Sequence, residues 1–331
     1  MKREVRSTKP WRKQGFLIGE RDYRVKMKKL VEPLLAKYKK EGDFRSFDGR
    51  RIHYHYMIHP QEKAAIVISH GFCEFVGKYY EMMYYFYKLG YSVFFIEHRG
   101  HGYSERTTSN LSKVYVKSFH EYVADMNQFV ERIVKKKSTS GKYMLYAHSM
   151  GGAIATMYIE KYPKVFSKAV LSAPMLEMRY GDFSAVEVRV LLFISKIFHW
   201  RERYIPGHHD FNGIYNYATS SSQSKARYKY IFQMRLSDEH YQTCGSTYSW
   251  ASAGILATEY MKKHAHEVKT PILLCQAGKD SLVQPGAQRF FANESWRTHI
   301  SRYPTSKHEI YNSKSRIRKA YYNEIFTFLE G

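Results

Sequence analysis

The chain has 331 residues, and its 53 Lys+Arg against 30 Asp+Glu give a formal net charge of +23 at pH 7. It has no run of eighteen uninterrupted apolar residues, which argues against a membrane span, and the opening MKREVRSTKPW lacks the apolar core of a signal peptide, so a cytoplasmic protein is expected. Cys73, Cys244 and Cys275 are an odd set without metal-ligand spacing and read as free thiols of a reducing compartment.

In chain order, residues 1–40 form a basic N-terminal extension capable of helix, with Val25, Leu30, Val31, Leu34 and Leu35 partly on one face. Such a segment lies on a membrane surface or packs on the body of the domain, and its modest apolar stripe favours packing. The core then begins, divided as 41–174 and 269–331 around an insertion, 175–268. From Phe44, F-R-S-F-D-G-R-R-I-H-Y-H-Y-M predicts a hairpin turning at Asp48-Gly49. Ala64–Ser69 is an apolar strand ending in H-G-F-C-E at 70–74, and a helical pattern follows through Tyr87. Gly90–Ile96 is another buried strand, followed by a tight loop, E-H-R-G-H-G-Y-S, at 97–104. His98 and His101 in that loop read as structural. Val114–Val134 is predicted as helix from apolar residues spaced three and four apart.

The run Tyr143–Ala147 then suits a strand, and Gly151, Gly152, Ala153 and Ala155 open a helix, with Ser149 at the junction. A serine on such a sharp turn projects its hydroxyl from the sheet, and Ala147 and Gly151 supply the small neighbours that this elbow requires. Lys168–Ser172 is a further strand, after which the alternation stops across the insertion, 175–268, rich in aromatics and expected to cap the carboxyl edge of the sheet. Alternation resumes with Ile272–Gln276, after which comes Asp280, and His299–Tyr303, after which comes His308; Ser313–Leu329 reads as a closing helix.

Ser149, Asp280 and His308 therefore follow three strands in the order serine, acid, histidine. A serine hydroxyl is a weak nucleophile unless a histidine takes its proton, and a carboxylate holds that histidine in the required tautomer. The backbone N–H groups of Phe72 and Met150 are the candidate oxyanion donors. No metal and no cofactor is expected.

The segments H-G-F-C-E, E-H-R-G-H-G-Y-S, A-H-S-M-G-G at 147–152, G-K-D at 278–280 and K-H-E-I at 307–310 resemble the serine hydrolases grouped with monoacylglycerol lipases and bacterial lysophospholipases. The resemblance spans roughly residues 45–330, with Ala147 in place of the usual glycine and Glu97 in place of the usual aspartate. In the insertion, S-K-A-R-Y at 224–228 and G-S-T-Y-S-W at 245–250 resemble the lysophospholipase branch of "L-two" type more than the monoacylglycerol lipases. The resemblance implies an α/β-hydrolase fold with a helical cap, a mostly parallel sheet flanked by helices, and hydrolysis of the acyl ester of a lysophospholipid to a fatty acid and a glycerophosphodiester. It also implies peripheral attachment to the cytoplasmic face of the inner membrane.

The positive charge has a role to match, since a basic surface favours an anionic membrane; no helix-turn-helix, zinc-finger or RNA-binding signature points to nucleic acid, which is not an expected partner. The plainer account is that Lys26, Lys28, Lys29 and the Lys135–Lys137 run are solvated faces serving solubility. The functional alternatives are a monoacylglycerol lipase or broad carboxylesterase, and a catalytically silent membrane- or nucleic-acid-binding protein on the same fold.

Overall fold

The computed structural model describes Lys9, Trp11 and residues 15–331, so most of the first fourteen residues of the expected extension lie outside the described residues. Eight strands form one sheet: β1 (Lys40–Arg45), β2 (Arg51–Met57), β3 (Ala65–Ser69), β4 (Ser92–Ile96), β5 (Tyr143–His148), β6 (Lys168–Ser172), β7 (Ile272–Ala277) and β8 (Thr298–Tyr303). Their order in space is β1-β2-β4-β3-β5-β6-β7-β8. β2 pairs antiparallel with β1 and with β4, and every other pairing is parallel.

Parallel strands joined by helices are covered on both faces, which is why A-I-V-I-S and S-V-F-F-I carry no polar alternation. Successive side chains point to opposite faces. Ala65, Val67, Phe94, Leu145, Ala147 and Leu274 enter one core, whereas Ile66, Ile68, Phe95, Tyr146 and Leu273 enter the other.

The helices that matter here are α1 (Tyr80–Lys88), α2 (Phe119–Phe129), α3 (Met150–Lys161), α4 (Ala185–Ile197), α5 (Lys225–Ser237), α6 (Tyr248–His264), α7 (Pro285–Glu294) and α8 (Ser315–Glu330). Helices α2, α3 and α6 contribute Tyr122, Ile154 and Trp250 to the first core. α1, α8 and a helical stretch at 23–38 contribute Phe86, Phe326 and Val31 to the second.

Two sequence expectations change. The helix predicted from Val114 starts at Phe119, because Lys113–Val114 pairs with Gly245–Ser246 in a short parallel ribbon and the Ser118 hydroxyl caps the helix by accepting from the His120 N–H. In the 23–38 stretch the buried face is Tyr23, Met27, Val31 and Leu35, a spacing of four, while Val25 and Leu30 are exposed; a π-helical turn at Met27–Val31 shifts the register that an ideal helix predicts. Between β6 and β7 the described helices pack in different places. α6 packs on α3 in the first core, α5 packs beside the 23–38 stretch, and α4 is left with Val186, Val190, Phe193 and Ile197 exposed. Among the described residues, no helix is long and apolar enough to cross a membrane.

Candidate active site

Ser149 joins β5 to α3 at φ 52° and ψ −118°, a left-handed conformation that costs a non-glycine residue about 1–3 kcal/mol and persists only when its surroundings fix it. They do so here. The Ser149 N–H donates to Ser172 O (3.1 Å), and its carbonyl accepts from the Met175 N–H (2.9 Å). Gly151 allows α3 to approach β3, since a Cβ there would stand 2.2 Å from Ser69 O. Ala147 is fully buried in the first core, so the methyl group that replaces the usual glycine is accommodated without opening the elbow.

His308 follows β8 and Asp280 follows β7. The Asp280 Oδ1 accepts from the N–H groups of Leu282 (2.9 Å) and Val283 (3.1 Å), which aims Oδ2 at His308 Nδ1, 2.6 Å away. His308 Nε2 lies 2.8 Å from Ser149 Oγ. Burial pushes the Asp280 carboxyl up, but the His308 hydrogen bond and charge and the two backbone donors outweigh it and hold the group below the usual carboxylate range. An ionised Asp280 places the imidazole proton on Nδ1, leaving Nε2 to accept from the serine hydroxyl. The three side chains named from the sequence thus meet in space, and all are buried.

Met150 follows the serine directly, and Phe72 lines the same cavity as the serine. Met150 is the first residue of α3, so its N–H has no acceptor within the helix, and the positive end of the helix dipole lies there. Among the described residues the Phe72 N–H has no protein acceptor either. The Phe72 ring packs on Trp250 with centroids 4.3 Å apart. Ser149 opens into a cavity of about 470 Å³, within the usual range for small-molecule sites, walled by Phe72, Met175, Met178, Val188, Leu192 and Trp250. Cys73, adjacent to Phe72 and at φ 57°, is not part of that wall, and burial pushes its thiol well up.

The sequence reading gives no role to His148, whereas it reads His98 and His101 as structural. His148, one residue before the serine, packs on His308 with ring centroids 4.8 Å apart, and burial lowers its pKa to about 4. It is therefore neutral at pH 7, and its Nδ1 lies 3.0 Å from Ser172 O. His98 and His101 are buried against His70, their rings 4.7 and 5.1 Å from its centroid, and burial keeps all three below the ordinary histidine range. Glu97 is completely buried, accepts from the Tyr103 N–H (2.6 Å) and faces His55 Nε2 at 3.5 Å, so the longer acid keeps its charge partner. Gly102 makes room for it, since a Cβ there would fall 2.1 Å from the carboxylate.

One further cluster has metal-ligand chemistry: Glu41, His53 and His55 offer atoms within 4.8 Å of one another. The Lys39 ammonium already supplies the positive charge there, 2.9 Å from Glu41 Oε2 and 3.2 Å from His55 Nδ1.

The strand order, the positive-φ serine and the hydrogen-bonded chain from Ser149 through His308 to Asp280 define an α/β-hydrolase of the serine hydrolase class. The chain belongs to the Hydrolase_4 family, described as serine aminopeptidase, S33, which matches residues 60–315. It is 29% identical over 243 residues to the lysophospholipase L2 of Escherichia coli (strain K12), covering 73% of this chain and 71% of that protein. It is 26% identical over 282 residues to the monoacylglycerol lipase of Mycolicibacterium smegmatis, covering 84% of this chain and 93% of that one. Among solved structures, a thermostable carboxyl esterase from Bacillus coagulans in complex with glycerol superposes with a TM-score of 0.69 at 18% identity, covering 89% of this chain and 98% of that one.

Proposed function

We propose that this protein is a lysophospholipase that hydrolyses the acyl ester through an acyl-enzyme on Ser149. The observation that carries the reading is a serine hydroxyl 2.8 Å from a carboxylate-held histidine, at the floor of an apolar cavity. Ser149 Oγ attacks the ester carbonyl as His308 Nε2 takes its proton, and the resulting oxyanion is held by the Phe72 and Met150 N–H groups. Each such donor contributes about 3 kcal/mol to transition-state stabilisation. Collapse expels the glycerophosphodiester alkoxide, which takes the proton from His308. Water, deprotonated by the same histidine, then attacks the acyl-enzyme and releases the fatty acid. The L2 relative supports the choice of a single-chain phospholipid.

Residues 175–268 act in this reading as the cap, and α4 is its lipid-facing part. Val188, Leu191 and Leu192 on its inner side wall the cavity, while Val186, Val190, Phe193 and Ile197 form an outward apolar stripe. Arg189 and Lys196 on the same helix and Arg201 and Arg203 just beyond it outnumber Glu187 and Glu202, a positive balance that suits peripheral contact with an anionic membrane.

A monoacylglycerol lipase or broad carboxylesterase is the second reading, favoured by the smegmatis relative; it uses the same catalytic groups and differs in the head group accepted. The test is fatty-acid release from lysophosphatidylethanolamine and from monoacylglycerol, with Ser149→Ala as control. The lysophospholipid is expected to be the faster substrate and the variant inactive but folded. Hydrolysis retained by Ser149→Ala removes the mechanism, and preference for monoacylglycerol selects the second reading.

A further inference from the structure

The loop carrying Phe72 follows β3, and the loop carrying His308 follows β8; three strands, β5, β6 and β7, stand between them in the sheet. Among the described residues no backbone hydrogen bond joins residues 70–79 to residues 306–313. Side chains join them instead. Lys78 Nζ donates to Glu74 Oε1 (2.6 Å) and to Glu309 Oε1 (2.8 Å), a contact across 231 positions of chain. Glu74 Oε1 also accepts from the Tyr311 hydroxyl (2.8 Å), and Glu74 Oε2 accepts from the Tyr79 hydroxyl (2.5 Å) and the Gly71 N–H (2.6 Å). Glu309 Oε2 accepts from Asn312 Nδ2 (2.9 Å). Gly71 is needed for this, because a Cβ there would stand 2.8 Å from the Glu74 carboxylate.

We propose that Lys78 is a positioning residue: by bridging Glu74, in the loop that carries Phe72, and Glu309, adjacent to His308, it sets the separation between the Phe72 oxyanion donor and the general base. The proposal rests on the ester-hydrolase reading above. The side chains of Glu74, Lys78 and Glu309 are 4%, 12% and 13% exposed, so the bridge is largely shielded from water. Burial pushes both carboxyls up, yet Lys78, together with the Tyr79 hydrogen bond to Glu74 and the Asn312 hydrogen bond to Glu309, keeps each below the usual range; burial likewise lowers the Lys78 ammonium, and Glu309 and Glu74 more than offset that. All three groups are therefore charged, and removing the one cation leaves two buried anions repelling each other across the seam. A misplacement of about 1 Å between reacting groups costs on the order of 10²-fold in rate. Lys78 touches no reacting atom, so its loss acts on the chemical step and not on substrate capture.

The test uses the full chain and p-nitrophenyl butyrate, a soluble ester that needs no membrane. Lys78→Met is expected to lower kcat at least tenfold with KM within twofold of the unaltered enzyme. Glu309→Gln is expected to lower kcat at least threefold, and the double variant to lose no more than Lys78→Met alone, because both changes break one bridge. Thermal unfolding fixes an assay temperature at which each variant is folded. A Lys78→Met kcat less than tenfold below that of the unaltered enzyme, a loss residing in KM, or losses that multiply in the double variant overturns the proposal. Where Lys78→Met does not fold, Glu309→Gln decides alone, and a loss below threefold overturns it. Absence of Ser149-dependent hydrolysis in the unaltered enzyme overturns the underlying reading instead, and the proposal with it.

Discussion

Ser149 shows how much of a site can depend on one backbone angle. Its φ of 52° turns the hydroxyl away from the sheet and toward His308, and the contacts that hold it there are backbone to backbone. In the proposed mechanism Asp280 acts through tautomer control. Asp280→Asn keeps the shape but offers an amide where Nδ1 needs an acceptor, and a fall in kcat of about 10³–10⁴-fold is expected, measured on a soluble ester with the fold checked by circular dichroism. The buried histidines give a stability prediction. His70, His98, His101 and His148 are all held below the ordinary histidine range, mainly by burial. With pKa values lower in the folded state, they take up protons on unfolding, so the stability they allow is full above the unfolded value near 6.5 and is lost as pH falls through the folded values. For His148, with a folded pKa of about 4, that loss is at most about 3 kcal/mol. Denaturant midpoints are expected to drop steeply between pH 6.5 and pH 4, and His148→Gln to make that drop shallower; a slope unchanged in the variant counts against the assignment.

The elements that position these residues follow from local sequence to different degrees. β3, β4, β5, β6 and β7 are each built on a short apolar run bounded by turns, so the ends from which Phe72, Ser149 and Asp280 project are readable from local sequence. The start of α2 is not, because Lys113–Val114 is taken by a strand 132 positions away and that partner, Gly245–Ser246, carries no strand signal of its own. The stripe at 23–38 is misread because one π-helical turn displaces it. The Glu74, Lys78 and Glu309 contacts are only half legible: Glu74 and Lys78 are four apart, but nothing local links them to Glu309. Glycine carries the tightest constraint at this scale. In Gly151→Ala the methyl group meets the Ser69 carbonyl on β3, and neither backbone can move without breaking the sheet or the elbow. A destabilisation of about 2 kcal/mol or more is expected from chemical denaturation, together with loss of most esterase activity.

At the scale of the whole molecule, the proposed function makes α4 a membrane contact. Val190 and Phe193 on α4 are 51% and 65% exposed and do not wall the cavity. Val190→Asp with Phe193→Asp is expected to weaken sedimentation with anionic phosphatidylglycerol vesicles by roughly tenfold or more, given about 1.5–3 kcal/mol for burying each large apolar side chain. Hydrolysis of vesicle-borne lysophospholipid falls with it, and hydrolysis of p-nitrophenyl butyrate stays within twofold. Equal binding of the variant and the unaltered protein rules α4 out as the contact. The order of the strands has a last consequence, for synthesis. Ser149 and His308 lie 159 positions apart, and the histidine loop hangs from β8, the edge strand added after every other strand in the chain. A ribosome making this protein therefore carries Ser149 without its base until β8 and residue 308 have been made, so the hydrogen-bonded chain from the serine to Asp280 closes only after the edge strand has joined the sheet.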